Sequence, residues 1–214
     1  MIRHLLLGLG LGASLIFVSS PRAADEVPAG YVALFNGKDL TGWKAHAGKV
    51  EGWGVDNGVL YTTGTGGGWL MTEAEFADFE FRVDYKLPKM GNSGAAIRSP
   101  MQGDPAYTGM EIQMLDDPNW KGLRPTQYNG SIYDVIAASK STVKAAGEWN
   151  TMKIVAKGRK ITIDVNGTEI VNTDLDEHKD KEKKHPGLTR DKGHLGLQSH
   201  GTRVEYKNIL VKKL

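Results

Sequence analysis

The chain of 214 residues has no cysteine. No disulfide can form and no thiol is available for lipid attachment, so an exported form must hold its fold by core packing alone. A dominant charge is missing too. Lys and Arg number 27 against 25 Asp and Glu, for a net charge of +2. No basic stripe with interleaved aromatics runs through the chain, which argues against a nucleic-acid partner. The apolar run over residues 5–18, behind the short basic start MIRH, falls below the ~20 residues that span a bilayer. It reads as a secretory signal peptide over residues 1–24, leaving through the small residues Ala23 and Ala24, with an uncleaved anchor as the alternative. Once the leader is cleaved, the protein is expected in the periplasm or secreted and is not an integral membrane protein. Repeats and linkers are absent, and residues 25–214 suit one well-buried domain better than two. Two catalytic frameworks are missing as well. Ser93 stands in N-S-G rather than a G-x-S-x-G elbow, and Gly66-Gly67-Gly68 lacks the lysine and following helix of a phosphate loop.

What the chain has in quantity is glycine, 27 residues of it, spaced with turn signals that favour an all-β fold. Lys157-Gly158-Arg159 and Asn166-Gly167 read as hairpin turns, the second being the pair preferred by a two-residue primed turn. Between them Ile161, Ile163 and Val165 share one face and Thr162 and Asp164 the other, the alternation of a strand with one face in a core. Asp56-Asn57-Gly58 predicts another hairpin. Further strands are expected over residues 79–86, 95–98, 110–115, 194–199 and 204–211. Only residues 72–78, TEAEFAD, carry a hint of helix, with acidic residues after Thr72. The run DEHKDKEKKH (residues 176–185) reads as a solvated loop. Of the five tryptophans, Trp43, Trp53 and Trp149 are expected in the core, whereas Trp69 and Trp120 look loop-like and free to stack on sugar rings.

The most informative segment is GNSGAAIRSPMQGDPAYTGMEIQMLDD (residues 91–117). It places Arg98, Glu111 and Gln113 in apolar strand-like surroundings, and the period of two puts Glu111 and Gln113 on the same face. Large polar groups there must be paired or must line a polar cleft. An Arg98–Glu111 structural pair and a ligand-binding face are both open on this evidence. A carboxylate so placed would have its pKa raised, which suits Glu111 to general-base work. Gln198 shares a strand face with His194 and Gly196, and His200 lies just beyond. Asp116, Asp117 and Asn119 have the oxygen ligands of a calcium site, but with Pro118 among them they read as a turn. No metal or other cofactor is assigned.

Five motifs occur in order: FNGKDLTGW (residues 35–43), GNSG (91–94), EIQMLD (111–116), GEWN (147–150) and GLQSHG (196–201). With them the chain, from about Gly30 to its end, resembles the 3-keto-disaccharide hydrolase domain family. The resemblance implies a concanavalin-like, jelly-roll antiparallel β-sandwich with little helix, a carbohydrate or keto-sugar substrate, and a functional link to a sugar 3-dehydrogenase. The family pattern matches at Asn92, Ser93, Arg98, Glu111, Gln113, Asp116, Tyr133, Gln198 and His200. A ketone at carbon three acidifies the carbon-two hydrogen, so the glycosidic bond can be cleaved by elimination and then hydration. Glu111 or His200 would be the base. Asn92, Ser93, Arg98, Gln113 and Gln198 would bind substrate, and Asp116 or Tyr133 would be the acid. A retaining glycosidase is the second reading, since Glu111 and Asp116 imitate the paired acids of sandwich glucanases; Gln113 stands where their central carboxylate would be. A non-catalytic carbohydrate-binding module is the third.

Overall fold

A computed structural model describes residues 27–214; the expected leader lies outside the described residues. In chain order the strands are β1 (Val32–Ala33), β2 (Trp43–His46), β3 (Trp53–Asp56), β4 (Val59–Thr62), β5 (Trp69–Phe76), β6 (Phe79–Lys86) and β7 (Asn92–Ser99). After the one-turn helix α1 (Pro105–Thr108) come β8 (Met110–Leu115), β9 (Trp149–Lys157), β10 (Lys160–Val165), β11 (Thr168–Asp174), β12 (Gly193–Gln198) and β13 (Glu205–Lys213). They form two antiparallel sheets. One runs β11-β10-β9-β6-β13-β4-β3, with β1 on β13, and the other β2-β5-β12-β7-β8. The fold is a concanavalin-like β-sandwich.

The larger sheet shows the expected alternation. Phe79, Phe81, Val83 and Tyr85 of β6 are fully buried while Glu80, Arg82, Asp84 and Lys86 stay partly exposed. Ile161, Ile163 and Val165 face the same core. From the smaller sheet Leu70, Ala95, Ile97, Met110, Ile112, Met114, Leu195 and Leu197 complete it. Burying this much apolar area supplies the main stabilisation, as the absence of cysteine requires.

Four expectations need correction. Residues 72–78 are not helical: they fall in and just after β5, which pairs with β2 and β12. Met71 lies opposite Gly196 and Glu75 opposite His194, so two extra residues of β5 bulge outward. The polar sequence that resembles a helical turn is therefore a bulge, with Thr72 Oγ1 donating to the Ala74 carbonyl (2.8 Å) and accepting from Leu195 N (3.1 Å). Sheet pairing on both sides outweighs local propensity. Trp69 is a buried residue of that strand, not a loop residue. Trp149 is half-buried outside the core, with the ammonium groups of Lys86 and Lys207 over its ring at 4.9 and 4.6 Å. The charged run begins in a 3-10 segment, Leu175–Lys181, and ends at His185, which is only 2% exposed.

Candidate active site

The outer face of the smaller sheet carries the polar groups. On β7 and β8, Gly94 pairs with Gln113 and Ala96 with Glu111, which sets Asn92, Gly94 and Ala96 beside the two polar side chains of β8. The sequence leaves room for the carboxyl at one position: a Cβ on Gly94 would stand 2.1 Å from Glu111 Oε1. Beyond β8 the chain at residues 130–133 adds to the sheet, with Tyr133 N donating to Glu111 O (2.8 Å) and Gln113 N to Ser131 O (3.0 Å). That pairing brings Tyr133 to the cleft. From the other side α1 covers the face, its start capped by Asp104, whose side chain accepts from Ala106 N.

These elements enclose an inner pocket of about 170 Å³, lined among others by Asn92, Glu111, Gln113, Tyr133, Gln198 and His200. Glu111 is 3% exposed, and its carboxyl has no hydrogen-bond or ion-pair partner among the described residues. Burial, with a smaller contribution from the charge of Asp104, pushes its carboxyl up to about 8. Uncharged amides surround it. Gln113 Nε2 donates to the Gln127 carbonyl (3.3 Å), and the side-chain oxygens of Asn92, Gln113 and Gln198 are buried without protein partners. Buried polar atoms are normally paired, so these are poised for a ligand or water. Asn92 Nδ2 donates to His200 Nδ1 (3.2 Å), which puts the proton of the neutral ring on Nε2. Tyr133 Oη accepts from Gln127 Nε2 (3.1 Å), leaving its own O–H to donate into the pocket.

Three of the predicted site residues lie elsewhere. Arg98 does not pair with Glu111 and does not enter the cleft. At Arg98 the backbone takes φ +48°, and β7 slips against β12, with Ser99 opposite His194 but Ala96 opposite Gly196. This bulge turns the fully buried guanidinium to the carbonyls of Ala77 (3.0 Å) and Gly158 (2.7 Å) and to Asp78 (3.3 Å). Asp116 faces the turn after β8, where Oδ2 accepts from Met90 N and Asn119 Nδ2, both at 2.8 Å. Its neighbour Asp117 accepts from Asn129 N (2.8 Å) and Ser141 Oγ (2.6 Å), so these oxygens close a turn. Ser93 points through the sheet to the core side, bonded to the Gln198 carbonyl (2.8 Å) and Tyr206 Oη (2.6 Å). Its strand position is odd where Asn92 and Gly94 are even, and alternation decides the face.

A family model described as the 3-keto-alpha-glucoside-1,2-lyase-like domain matches residues 30–212. The chain belongs to this family. A 3-keto-disaccharide hydrolase from Bacteroides thetaiotaomicron is 28% identical over 229 residues, covering 86% of this chain and 79% of that protein. A solved structure of a candidate glycosyl hydrolase from Parabacteroides distasonis superposes with a TM-score of 0.74 at 28% identity, over 86% of this chain and 94% of that one. An endo-beta-1,3(4)-glucanase of family GH16 shares the fold, with a TM-score of 0.52 at 18% identity over 87% and 92% of the two chains.

In this lyase-like domain the structure adds residues that the sequence pattern did not single out. Asp104 and Tyr107 also line the inner pocket. Tyr107 is stacked on buried His185, with ring centroids 5.0 Å apart and an interplanar angle of 25°. His185 in turn faces the Asp134 carboxylate at 3.6 Å, which also holds Arg124 and Lys184. Burial draws the His185 ring below its ordinary pKa, partly offset by Asp134, so a neutral imidazole backs the tyrosine. The D-P-A-Y run after a glycine was the available signal, an Asp-capped turn with Pro at its first position. A second cavity of about 560 Å³ opens beside the first, and the two share Asp104, Gln198 and His200.

Proposed function

We propose that this domain cleaves the glycosidic bond of 3-keto-glycosides by elimination followed by hydration, with Glu111 as the base. The observation that carries the reading is the unpaired, buried carboxyl of Glu111, raised to about 8 and ringed by amides rather than by a cation. A base near neutral pKa suits abstraction of a proton beside a ketone. Glu111 takes the carbon-two proton, the electron pair forms the enolate and then the double bond between carbons one and two, and the bond from carbon one to the glycosidic oxygen breaks. Tyr133 O–H holds the enolate oxygen and the free amide oxygens of Asn92 and Gln113 accept from sugar hydroxyls, while His200 Nε2–H donates to the departing oxygen at the junction of the two cavities. One water supplies the leaving group's proton and its hydroxide adds at carbon one. Glu111, whose proton has meanwhile exchanged with solvent, then protonates carbon two. The net reaction is hydrolysis, and the protein is unchanged.

A hydrolase of unoxidised glycosides is the second reading, favoured by Asp104, a second carboxylate beside Glu111 that contributes to its raised pKa. The pair Glu111 and Asp116 does not support it, because Asp116 faces the turn after β8. Incubation with a 3-keto-disaccharide and its unoxidised parent separates the two. Release of monosaccharide from the keto form alone is expected; equal cleavage of the parent would favour the second reading.

A further inference from the structure

The outer cavity has walls of an uncommon kind. Gly67, Gly68, Gly103 and Gly201 take φ between +59° and +84°, and Ala47 beside them takes +52°. In this left-handed region glycine is nearly the only residue without strain, so the wall presents bare peptide planes rather than rotatable side chains. Trp69 reaches the cavity only at an edge, being 3% exposed, and three of the cavity's polar side chains, Asp104, Gln198 and His200, lie at the junction with the inner pocket. The walls are tied together before any ligand arrives. Ser199 N donates to Gly68 O (2.8 Å) and His46 Nε2 contacts Gly103 O (2.6 Å). A Cβ on Gly68 would stand 2.5 Å from the Ala47 carbonyl oxygen, so the two loops touch backbone to backbone.

Size and chemistry then divide a glycoside between the cavities. The inner pocket, about 170 Å³, is well below the roughly 300–1,000 Å³ of sites that enclose a drug-sized ligand, so the leaving group must extend across the junction. A second sugar is usually recognised through directed hydrogen bonds from side chains, which the far wall of the outer cavity lacks. Bare peptide planes instead offer flat faces for stacking. We infer that the outer cavity is a leaving-group subsite for planar aromatic aglycones, so that 3-keto-glycosides of aryl and arylalkyl alcohols are preferred substrates. This rests on the proposed function and adds the class of leaving group.

The test compares methyl, cyclohexylmethyl and benzyl 3-keto-glucosides of one anomeric configuration, whose alcohols differ little in acidity. The benzyl compound is expected to show a kcat/KM about tenfold or more above the methyl compound, as burial of a ring supplies, and about threefold or more above the cyclohexylmethyl compound, as stacking beyond burial supplies. The variant Ala47→Trp, which fills the cavity from its rim, should bring the three within about twofold of one another. Ala47→Gln is a smaller plug for use if the tryptophan variant does not fold. Equal rates for benzyl and cyclohexylmethyl compounds, or a benzyl preference that survives the folded plug variants, would overturn the subsite. If no keto-glycoside is cleaved, the proposed reaction fails by itself. Dissociation constants of the three unoxidised glucosides then decide the subsite, tighter benzyl binding supporting it and equal constants overturning it.

Discussion

At the scale of single residues, the buried carboxyl of Glu111 works against stability. Its pKa near 8 when folded exceeds the ordinary carboxylate value, so the folded state binds the proton more tightly than the unfolded chain. The protein therefore loses stability as pH rises from the unfolded value, about 4.3, to the folded one, and no more above it. Glu111→Gln removes this loss. Thermal melts should show the variant more stable than the natural protein at pH 8 and close to it at pH 4.5, by roughly 2–4 °C for each kcal/mol recovered. The same variant should lose ~100-fold or more in kcat/KM, since an amide cannot accept the proton. In the natural protein kcat/KM should rise with pH up to about 8 and then level, and a flat profile would remove Glu111 from the base role. Gly94→Ala tests the position of the carboxyl. Its Cβ would stand 2.1 Å from Glu111 Oε1, so activity should fall at least about tenfold, as misplacement of a catalytic group implies, while circular dichroism shows the fold retained.

At the scale of elements, bulges decide which side chains reach the cleft. The slip of β7 at Arg98 sends a guanidinium that alternation would aim at the substrate to the opposite side, where it ties the β6 entry and the β9–β10 turn together through Ala77 and Gly158. Arg98→Met should therefore destabilise by about 2–4 kcal/mol in urea unfolding, because several buried carbonyls lose their donor. KM of the folded fraction should stay within about twofold. A large rise in KM without loss of stability would return Arg98 to the binding face. The bulge on β5 has a related effect. Between Met71 and Glu75 it releases the strand from strict register, and its apolar end leaves Trp69 and Met71 under α1, packed with Ala96 and Ala106.

At the scale of the whole molecule, the sandwich divides labour between its sheets. The larger sheet packs one face and solvates the other, whereas the smaller sheet is covered on both faces, by the core and by α1 with its flanking loops. The covered outer face desolvates Glu111 while two adjoining cavities keep it reachable. The proposed elimination has a labelling consequence. In heavy water the released 3-keto-sugar should carry deuterium at carbon two above the no-enzyme background, as read by mass spectrometry. A displacement mechanism never breaks that carbon–hydrogen bond. Unlabelled product with no primary isotope effect from carbon-two-deuterated substrate would point to displacement.

The sequence by itself determined the sandwich class, most of its strands, and the pairing of Glu111 with Gln113 on a single face. These follow from local rules: turn residues at fixed offsets and a period of two along each strand. It also offered Asn92, Tyr133, Gln198 and His200 as candidates, through motif resemblance rather than geometry, and these line the inner pocket. Only the tertiary structure decided the fate of Arg98, Asp116 and Ser93, because a single bulge, a turn or one step of alternation exchanges the two faces of a strand. Tyr107 and His185 had to wait for it as well. They are 78 positions apart, and their stacking exists only once the β11–β12 connection has closed over α1. Local pattern specifies what a strand can present; long-range packing selects what it presents it to.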